Sequence, residues 1–184
     1  KDRKNIKGDF KEMLLQYYSV GGAMFNLHAF DQSYIIFDEF IQIVSLPMFA
    51  DEKRPLIADS TLQEVKYYAA IAASRSEKHD IAIAYAGEVA NANGKNSSTA
   101  YQLLASEYMT LGDTVNYLAT LQKACEAYPT NPYFVGTIVN YYVMEGKTEE
   151  ALKYIDQEIE HNPANIEFVI VKADLLVKNL NQFD

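Results

Sequence analysis

The fold is decided by the stretch from Tyr128 to Asn165, which reads YPTNPYFVGTIVNYYVMEGKTEEALKYIDQEIEHNPAN. Pro129 and Pro163 lie 34 residues apart, and each follows a segment whose apolar residues recur with the period of an amphipathic helix. Between the two prolines, Gly146 can adopt the left-handed conformation that closes a first helix. Because proline cannot continue a helix, Pro163 ends the second one. The stretch therefore predicts a hairpin of two helices.

The residues before this hairpin carry the same pattern. When 98–131 is aligned with 132–165, apolar positions, a turn glycine and a final proline coincide, which gives two successive units of 34 residues. A single hairpin cannot cover its own apolar face, so such units are stabilised by stacking on their neighbours. The coinciding pairs are Tyr101 with Val135, Leu104 with Ile138, Tyr108 with Tyr142, Gly112 with Gly146, Leu121 with Ile155, and Pro129 with Pro163.

This pattern resembles the tetratricopeptide repeat (TPR). The unit 132–165 departs from the family pattern at Val139, and the unit 98–131 departs from it at Tyr117, since the family prefers small residues there. The resemblance implies an all-α fold, an α-α superhelix in which TPR helical hairpins form a right-handed solenoid. The first half of the chain is also similar to exported TPR-like proteins of Bacteroidetes. The matching residues in 132–165 are Val135, Ile138, Tyr142, Gly146, Ala151, Ile155 and Pro163.

The same template predicts one TPR-like solenoid over residues 1–184. We expect units at about 14–47, 63–97, 98–131 and 132–165, a partial unit at 166–184, and an insertion at 48–62 that leads to an N-capping Ser60 or Thr61. In the first unit, Gly21 and Gly22 indicate close helix packing. The partial unit has only a first helix, so we expect its apolar residues to stay partly open; these are Phe168, Val171, Leu175 and Leu176.

Composition limits the classes of partner. The chain has 16 basic and 25 acidic residues, a formal charge of −9 and a pI near 4.8, which opposes binding to nucleic acid or to an anionic membrane surface. No apolar run reaches the roughly 18 residues of a membrane span. The chain begins at Lys1 and ends in NLNQFD, which suggests a fragment or a processed chain. The resemblance to exported proteins favours the bacterial periplasm or cell envelope over the cytoplasm.

The residue types that carry catalysis are scattered along the pattern. His28, His79 and His161 are predicted at the surface, far from one another, whereas metal binding needs several ligands at one point. Cys125, the only cysteine, is predicted to be a small buried residue. The segment GGAMFNL lacks the lysine of a phosphate-binding loop. We therefore predict no metal, no cofactor and no enzymatic activity.

The resemblance also implies a binding groove lined by the first helix of each unit. Tyrosine and methionine can bury apolar area while tyrosine offers a hydroxyl, so a peptide or a helix of a protein partner is the expected ligand. The basic cluster that holds a terminal carboxylate in some relatives is missing, because only Arg75 and Lys178 are basic at matching positions. The predicted groove residues are Tyr18, Phe25, Tyr67 or its neighbour Tyr68, Gln102, Met109, Tyr133, Asn140 and Met144.

Three functions are compatible with these observations. The first is a non-catalytic scaffold for protein–protein interaction, which binds a peptide or helical segment in the groove. The second is a cell-envelope receptor or accessory protein for a glycan or small molecule, although the chain has no tryptophan to stack on sugars. The third is the regulatory portion of a larger protein.

Overall fold

A computed structural model describes residues 2–49 and 55–180 of the chain. Over these residues it contains α-helices, one short 3₁₀ turn at Pro47–Phe49 and no strand, so the all-α prediction is confirmed. The helices are α1 (Asp2–Asn26), α2 (Phe30–Val44), α3 (Asp59–Arg75), α4 (His79–Asn91), α5 (Ser97–Thr110), α6 (Thr114–Ala127), α7 (Pro132–Met144), α8 (Thr148–His161) and α9 (Ile166–Leu180).

The chain divides into two compact units, Lys1–Leu111 and Gly112–Asp184, called unit 1 and unit 2 below. In unit 1 each helix from α1 to α4 packs on the helix that follows it, and in unit 2 the same holds from α6 to α8. This succession of neighbours joined by short connections is the packing expected of helical hairpins. The predicted boundaries of the repeats and their joining into one array stay predictions.

The first core of unit 1 lies between α1, α2 and α3. Leu14, Phe37, Phe40 and Val65 are each at most 2% exposed and form its centre. The predicted insertion 48–62 contributes to this core, because Phe49 and Leu56 are also buried in it; residues 50–54 of the insertion lie outside the described ranges. The predicted cap at Ser60 or Thr61 is wrong, because α3 begins at Asp59 and both residues lie in its first turn. The N-cap is Ala58, whose side chain has no atom that could accept a capping hydrogen bond.

Gly21 allows α1 and α2 to approach closely. A Cβ atom on Gly21 would stand 2.6 Å from a ring carbon of the buried Phe37, and the hydroxyl of Ser33 donates a hydrogen bond of 3.0 Å to the Gly21 carbonyl. The prediction of close packing is thus confirmed for Gly21. It is wrong for Gly22, where a Cβ would meet no atom within 4 Å.

The turn signals of the sequence occupy the predicted places. Gly112 and Gly146 both have φ of +71°, the left-handed conformation expected after a first helix. Pro129 and Pro163 follow the ends of α6 and α8. Asp113 caps α6 by accepting a 3.0 Å hydrogen bond from the backbone N–H of Asn116.

In unit 2, α9 packs on both α7 and α8. Phe168 and Leu175 are 3% and 7% exposed, so the prediction that they stay open is wrong: the preceding hairpin already covers them. A different side of α9 is uncovered, because its apolar residues occupy two faces and only one of them contacts α7 and α8. The exposed apolar residues of α9 are Ile166, Val169, Ile170, Leu176 and Val177. None of the described helices is both long and apolar enough to span a membrane.

Candidate functional site

An aromatic cluster in unit 1 brings three predicted groove residues together around Tyr68. The ring of Phe25 meets the ring of Tyr68 edge-on at 5.3 Å between centroids, and the ring of Tyr67 lies 5.7 Å from it. The hydroxyl of Tyr18 lies near the carboxylate of Glu64, one turn before Tyr68 on α3. Burial, followed by the charge of Glu64, raises the pKa of Tyr18 above its ordinary value. The cluster therefore joins α1 to α3 through rings and one polar pair.

Helical spacing explains why α1 presents this surface. Tyr18, Gly22 and Phe25 follow one another at intervals of four and three residues, so they lie along one face of the helix. Open space surrounds Gly22, and the two aromatic side chains flank that space. Tyr18 is 36% exposed, so part of its ring remains free to contact a ligand.

A pocket of about 430 Å³ extends this surface along α1. Its floor consists of Leu14, Phe40 and Leu56, which are almost fully buried core residues. At its edge lie Tyr18 and Leu15, and Leu15 is 70% exposed. A concave site with apolar walls and a few polar groups is typical of ligand-binding pockets, and this volume falls within their usual range.

The polar groups of the pocket lie on two different helices. Lys11 of α1 is exposed, whereas Glu64 and Thr61 of α3 are half-buried. Lys11 and Glu64 bear opposite charges, and the charge of Glu64 acts on the Tyr18 hydroxyl. The pocket can therefore hold an apolar group and offer a cation, a carboxylate and the hydroxyls of Thr61 and Tyr18 to the polar atoms beside it.

Most of this pocket was missed at the level of sequence. The predicted first unit began at 14, whereas α1 extends back to Asp2 and places Lys11 one turn before Leu14 and Leu15. The pair Leu56 and Ile57 lies in the segment predicted to be an insertion loop, yet both residues line the pocket. The signal available in the sequence was this pair of adjacent apolar residues directly after Pro55.

The other predicted residues of unit 1 lie on α5. Gln102 is half-buried and Met109 is 40% exposed, and a spacing of seven residues places them on one face of the helix. The ring contacts around Tyr68 come from α1, α2 and α3. Gln102 and Met109 make none of these ring contacts, and of the two only Met109 is exposed.

In unit 2 the predicted residues share one face of α7. Tyr133 is 47% exposed, Asn140 is exposed and Met144 is 87% exposed. The ring of Tyr133 leans edge-on against Phe134 at 5.4 Å, which fixes its direction. This accessible α7 face has the aromatic and amide groups that the sequence predicted for it.

One histidine is less exposed than predicted. His28 and His161 are exposed, but His79 is half-buried, with its Nδ1 atom 2.6 Å from an oxygen of Glu107. Glu107 is only 3% exposed, and its other oxygen accepts a 2.5 Å hydrogen bond from the Ser74 hydroxyl. Both oxygens of this carboxylate are therefore engaged with α3 and α4, and the network reads as a structural contact between helices of unit 1.

Cys125 in unit 2 is 7% exposed, which confirms its predicted burial. The Tyr154 hydroxyl donates to its Sγ atom at 3.7 Å. Burial raises the pKa of the Cys125 thiol to about 11, so the thiol is protonated and unreactive near neutral pH. Within residues 2–49 and 55–180, no group of three or more histidine, cysteine or acidic side chains could hold a metal ion.

Solved TPR structures have the same fold. A kinesin-light-chain-like protein of Podosopora anserina with nearly identical TPR-like repeats superimposes with a TM-score of 0.56 and 11% identity, over 93% of this chain and 89% of that one. YrrB, described as a TPR protein with an unusual peptide-binding site, superimposes with a TM-score of 0.54 and 15% identity, over 98% of this chain and 85% of that one. No protein-family model and no curated protein sequence matches the chain. The chain therefore has an all-α helical-repeat fold of the TPR-like solenoid class, as predicted.

Proposed function

We propose that the chain is a non-catalytic protein-interaction scaffold and that unit 1 binds a peptide segment of a partner on its α1–α3 face. This face comprises the pocket along α1 and the aromatic cluster around Tyr68. The observation that carries this proposal is the apolar pocket of about 430 Å³ beside the exposed ring of Tyr18. The pocket would receive one apolar side chain of the peptide. The aromatic cluster around Tyr68 would support the next residues. YrrB, which shares the fold, is described as having a peptide-binding site.

In such a site, a few side chains are expected to contribute most of the binding free energy. Binding energy at interfaces concentrates in side chains that fill well-packed pockets, and aromatic residues on the receptor contribute large contact areas. Leu15 and Tyr18 are the large exposed hydrophobic residues of the pocket, and a ligand would cover them. The α7 face with Tyr133, Asn140 and Met144 is a second, separate contact surface in the same proposal.

A random-sequence peptide library displayed on phage tests the proposal directly. Peptides selected on the intact chain should share an apolar anchor residue, and both Tyr18→Ala and Leu15→Ser should weaken their binding by at least roughly tenfold. Ile35→Ala is the matched control, because Ile35 is an exposed apolar residue of α2 that does not line the pocket. Equal binding to all three variants and to the parent chain would show that the selected peptides do not bind the α1–α3 face.

The contribution of the two units can be measured with the same peptides. Tyr67→Ala and Tyr133→Ala change one predicted groove residue in each unit, and their double variant changes both. We expect Tyr67→Ala to weaken peptides that occupy the α1–α3 face. A peptide weakened only by Tyr133→Ala would use the α7 face instead.

A small-molecule receptor is the second candidate, favoured by the size of the same pocket. Its apolar floor of Leu14, Phe40 and Leu56 suits an apolar ligand better than a sugar, whose hydroxyls need hydrogen-bonding partners. A soluble apolar probe such as 8-anilinonaphthalene-1-sulfonate should then compete with the selected peptides, and Leu15→Ser should release it.

We also propose that nucleic acid is not a partner, because the net charge of −9 opposes binding to a polyanion. A location in the cell envelope rests on the sequence resemblance and is testable by cell fractionation.

A further inference from the structure

Unit 2 contains a second pocket, formed by α6, α8 and the beginning of α9. Its volume is about 330 Å³. Glu126 of α6 and Glu158 of α8 both line it, together with the amide side chains of Gln122 and Gln157. Unlike the pocket of unit 1, this pocket is predominantly polar, and none of the proposed peptide contacts belongs to it.

Both carboxylates act on the thiol in the same pocket. Burial is the main cause of the raised pKa of Cys125, and the charges of Glu158 and Glu126 raise it further. Burial likewise raises the pKa of Tyr154, and Cys125 and Glu158 add to that effect. Each of these two groups would become an anion on losing its proton. Burial disfavours a charge of either sign at these two groups, and the carboxylates add an effect that disfavours anions in particular: Glu158 and Glu126 at Cys125, and Glu158 at Tyr154.

No cationic side chain compensates these carboxylates within the pocket. Its lining residues include no lysine, arginine or histidine. The ion pairs formed by the described residues of unit 2 involve Lys172 with Asp156, and leave Glu126 and Glu158 without a cation. The pocket is therefore a concave site with two uncompensated carboxylates, which favours a cationic occupant.

The other lining residues of the pocket favour a guanidinium group over an ammonium group. The half-buried Tyr154 contributes an aromatic ring, and an aromatic face attracts a planar guanidinium both through its charge and by stacking. Phe168 also lines the pocket but is almost fully buried. A guanidinium carries five N–H donors in a fixed plane, which can serve carboxylates on two different helices at once. We propose that this pocket of unit 2 binds the guanidinium group of an arginine side chain in a partner peptide. This site lies outside the function proposed above and does not depend on it.

The test uses the intact chain and the peptide Gly-Ser-Gly-Arg-Gly-Ser-Gly, titrated in nuclear magnetic resonance spectra. The side-chain amide signals of Gln122, Gln157 and Asn162 report on the pocket, because all three residues line it. We expect these signals to shift with the arginine peptide. Replacement of arginine by citrulline, which has nearly the same shape but no charge, should weaken binding at least roughly tenfold. A lysine peptide should bind more weakly than the arginine peptide.

Two charge-matched variants separate the pocket from general attraction to an acidic protein. The variant E126Q/E158Q should lose the shifts, whereas E149Q/E150Q should keep them, because Glu149 and Glu150 lie on α8 outside the pocket. If E158Q disturbs the fold, as judged by circular dichroism, the single variant E126Q should still weaken binding, since Glu126 is exposed.

Three results would overturn the proposal. Arginine and citrulline peptides that bind equally well would show that charge is not recognised. Equal losses in E126Q/E158Q and E149Q/E150Q would show that only the net charge matters, and an arginine peptide that shifts none of the three amide signals would show that the pocket is not occupied. Tyr18→Ala should leave the titration unchanged, so this outcome and that of the α1–α3 proposal can be told apart.

Discussion

The hairpin α3–α4 of unit 1 and the hairpin α7–α8 of unit 2 are packed with side chains of different size. In α3–α4 the fully buried residues are mostly alanine, whereas in α7–α8 they are mostly large and branched or aromatic. Small residues let helices approach closely, and large ones fill a wider gap between them. The same helix-turn-helix pattern is thus built with two kinds of core. The buried residues are Val65, Ala69, Ala70, Ala72, Ala73, Ala82, Ala86, Val89 and Ala90 in the first, and Phe134, Val135, Ile138, Val139, Ala151 and Ile155 in the second.

The two hairpins also differ in polar contacts and in their turns. Glu107 reaches Ser74 and His79 at the α3–α4 turn. That turn contains Glu77 in the left-handed conformation, with φ of +58°, where the α7–α8 turn has Gly146 at +71°. The alanine-rich hairpin therefore depends on a buried carboxylate and tolerates a strained residue, while the other depends on apolar volume.

The largest effect should come from removing apolar volume in α7–α8. Phe134→Ala deletes a fully buried ring, and we expect a loss of about 3–5 kcal/mol in the free energy of unfolding, because the removed contacts are lost and a cavity remains. Denaturant unfolding followed by circular dichroism measures this. Tyr133→Ala, which truncates the exposed neighbour, should change stability by far less. Similar losses in both variants would show that α7–α8 does not depend on its buried apolar volume.

The next effect concerns the buried carboxylate of unit 1. Glu107→Ala leaves the Ser74 hydroxyl and His79 without their acceptor, and we expect a loss of about 1–3 kcal/mol. The control is Glu88→Ala in the same unit, which removes an exposed ion pair with Lys66 and should cost less than about 1 kcal/mol. An equal and small loss in the two variants would show that the network contributes little to stability.

The hairpins were predictable from the sequence because local signals specify them. The period of apolar residues, the turn glycine and the terminal proline all act within one unit, so Gly112, Gly146, Pro129 and Pro163 could be placed without knowing their neighbours. The exposure of groove residues such as Met144 also follows from helical periodicity alone.

The polar network and the unit 1 pocket depend on contacts between distant segments. Glu107 and His79 are 28 residues apart, and whether they meet depends on how α5 is rotated against the α3–α4 turn. The pocket needs α1 to continue past its predicted start and Leu56 to fold onto it. A period read within one unit contains no information on either arrangement.

A smaller effect is expected at the two turns. Gly146→Ala forces a side chain into the left-handed region and should cost about 1–2 kcal/mol. Glu77→Gly relieves the corresponding strain in unit 1, partly offset by the greater freedom of glycine in the unfolded chain, so stability should rise by up to about 1 kcal/mol. Thermal unfolding measures both changes. A loss of stability in Glu77→Gly would show that the glutamate side chain makes a contact that outweighs its strain.

The smallest effect on stability is expected from a helix N-cap. A side chain caps α6, whereas no side chain caps the second helices of the two hairpins. The N-caps of α4 and α8 are Lys78 and Lys147, and neither makes a side-chain capping bond, whereas Asp113 caps α6. The hydrogen bond from the backbone N–H of Asn116 lowers the pKa of Asp113. The folded-state pKa is therefore below the unfolded one, so the cap stabilises the chain above the unfolded pKa of about 4, and this contribution is lost as the pH falls through the folded value. The difference in midpoint temperature between the parent chain and Asp113→Ala should be present at neutral pH and shrink in strong acid. Lys147→Ala, which removes no cap, should show no such pH dependence, and a matching dependence there would mean that the titration of Asp113 is not its source.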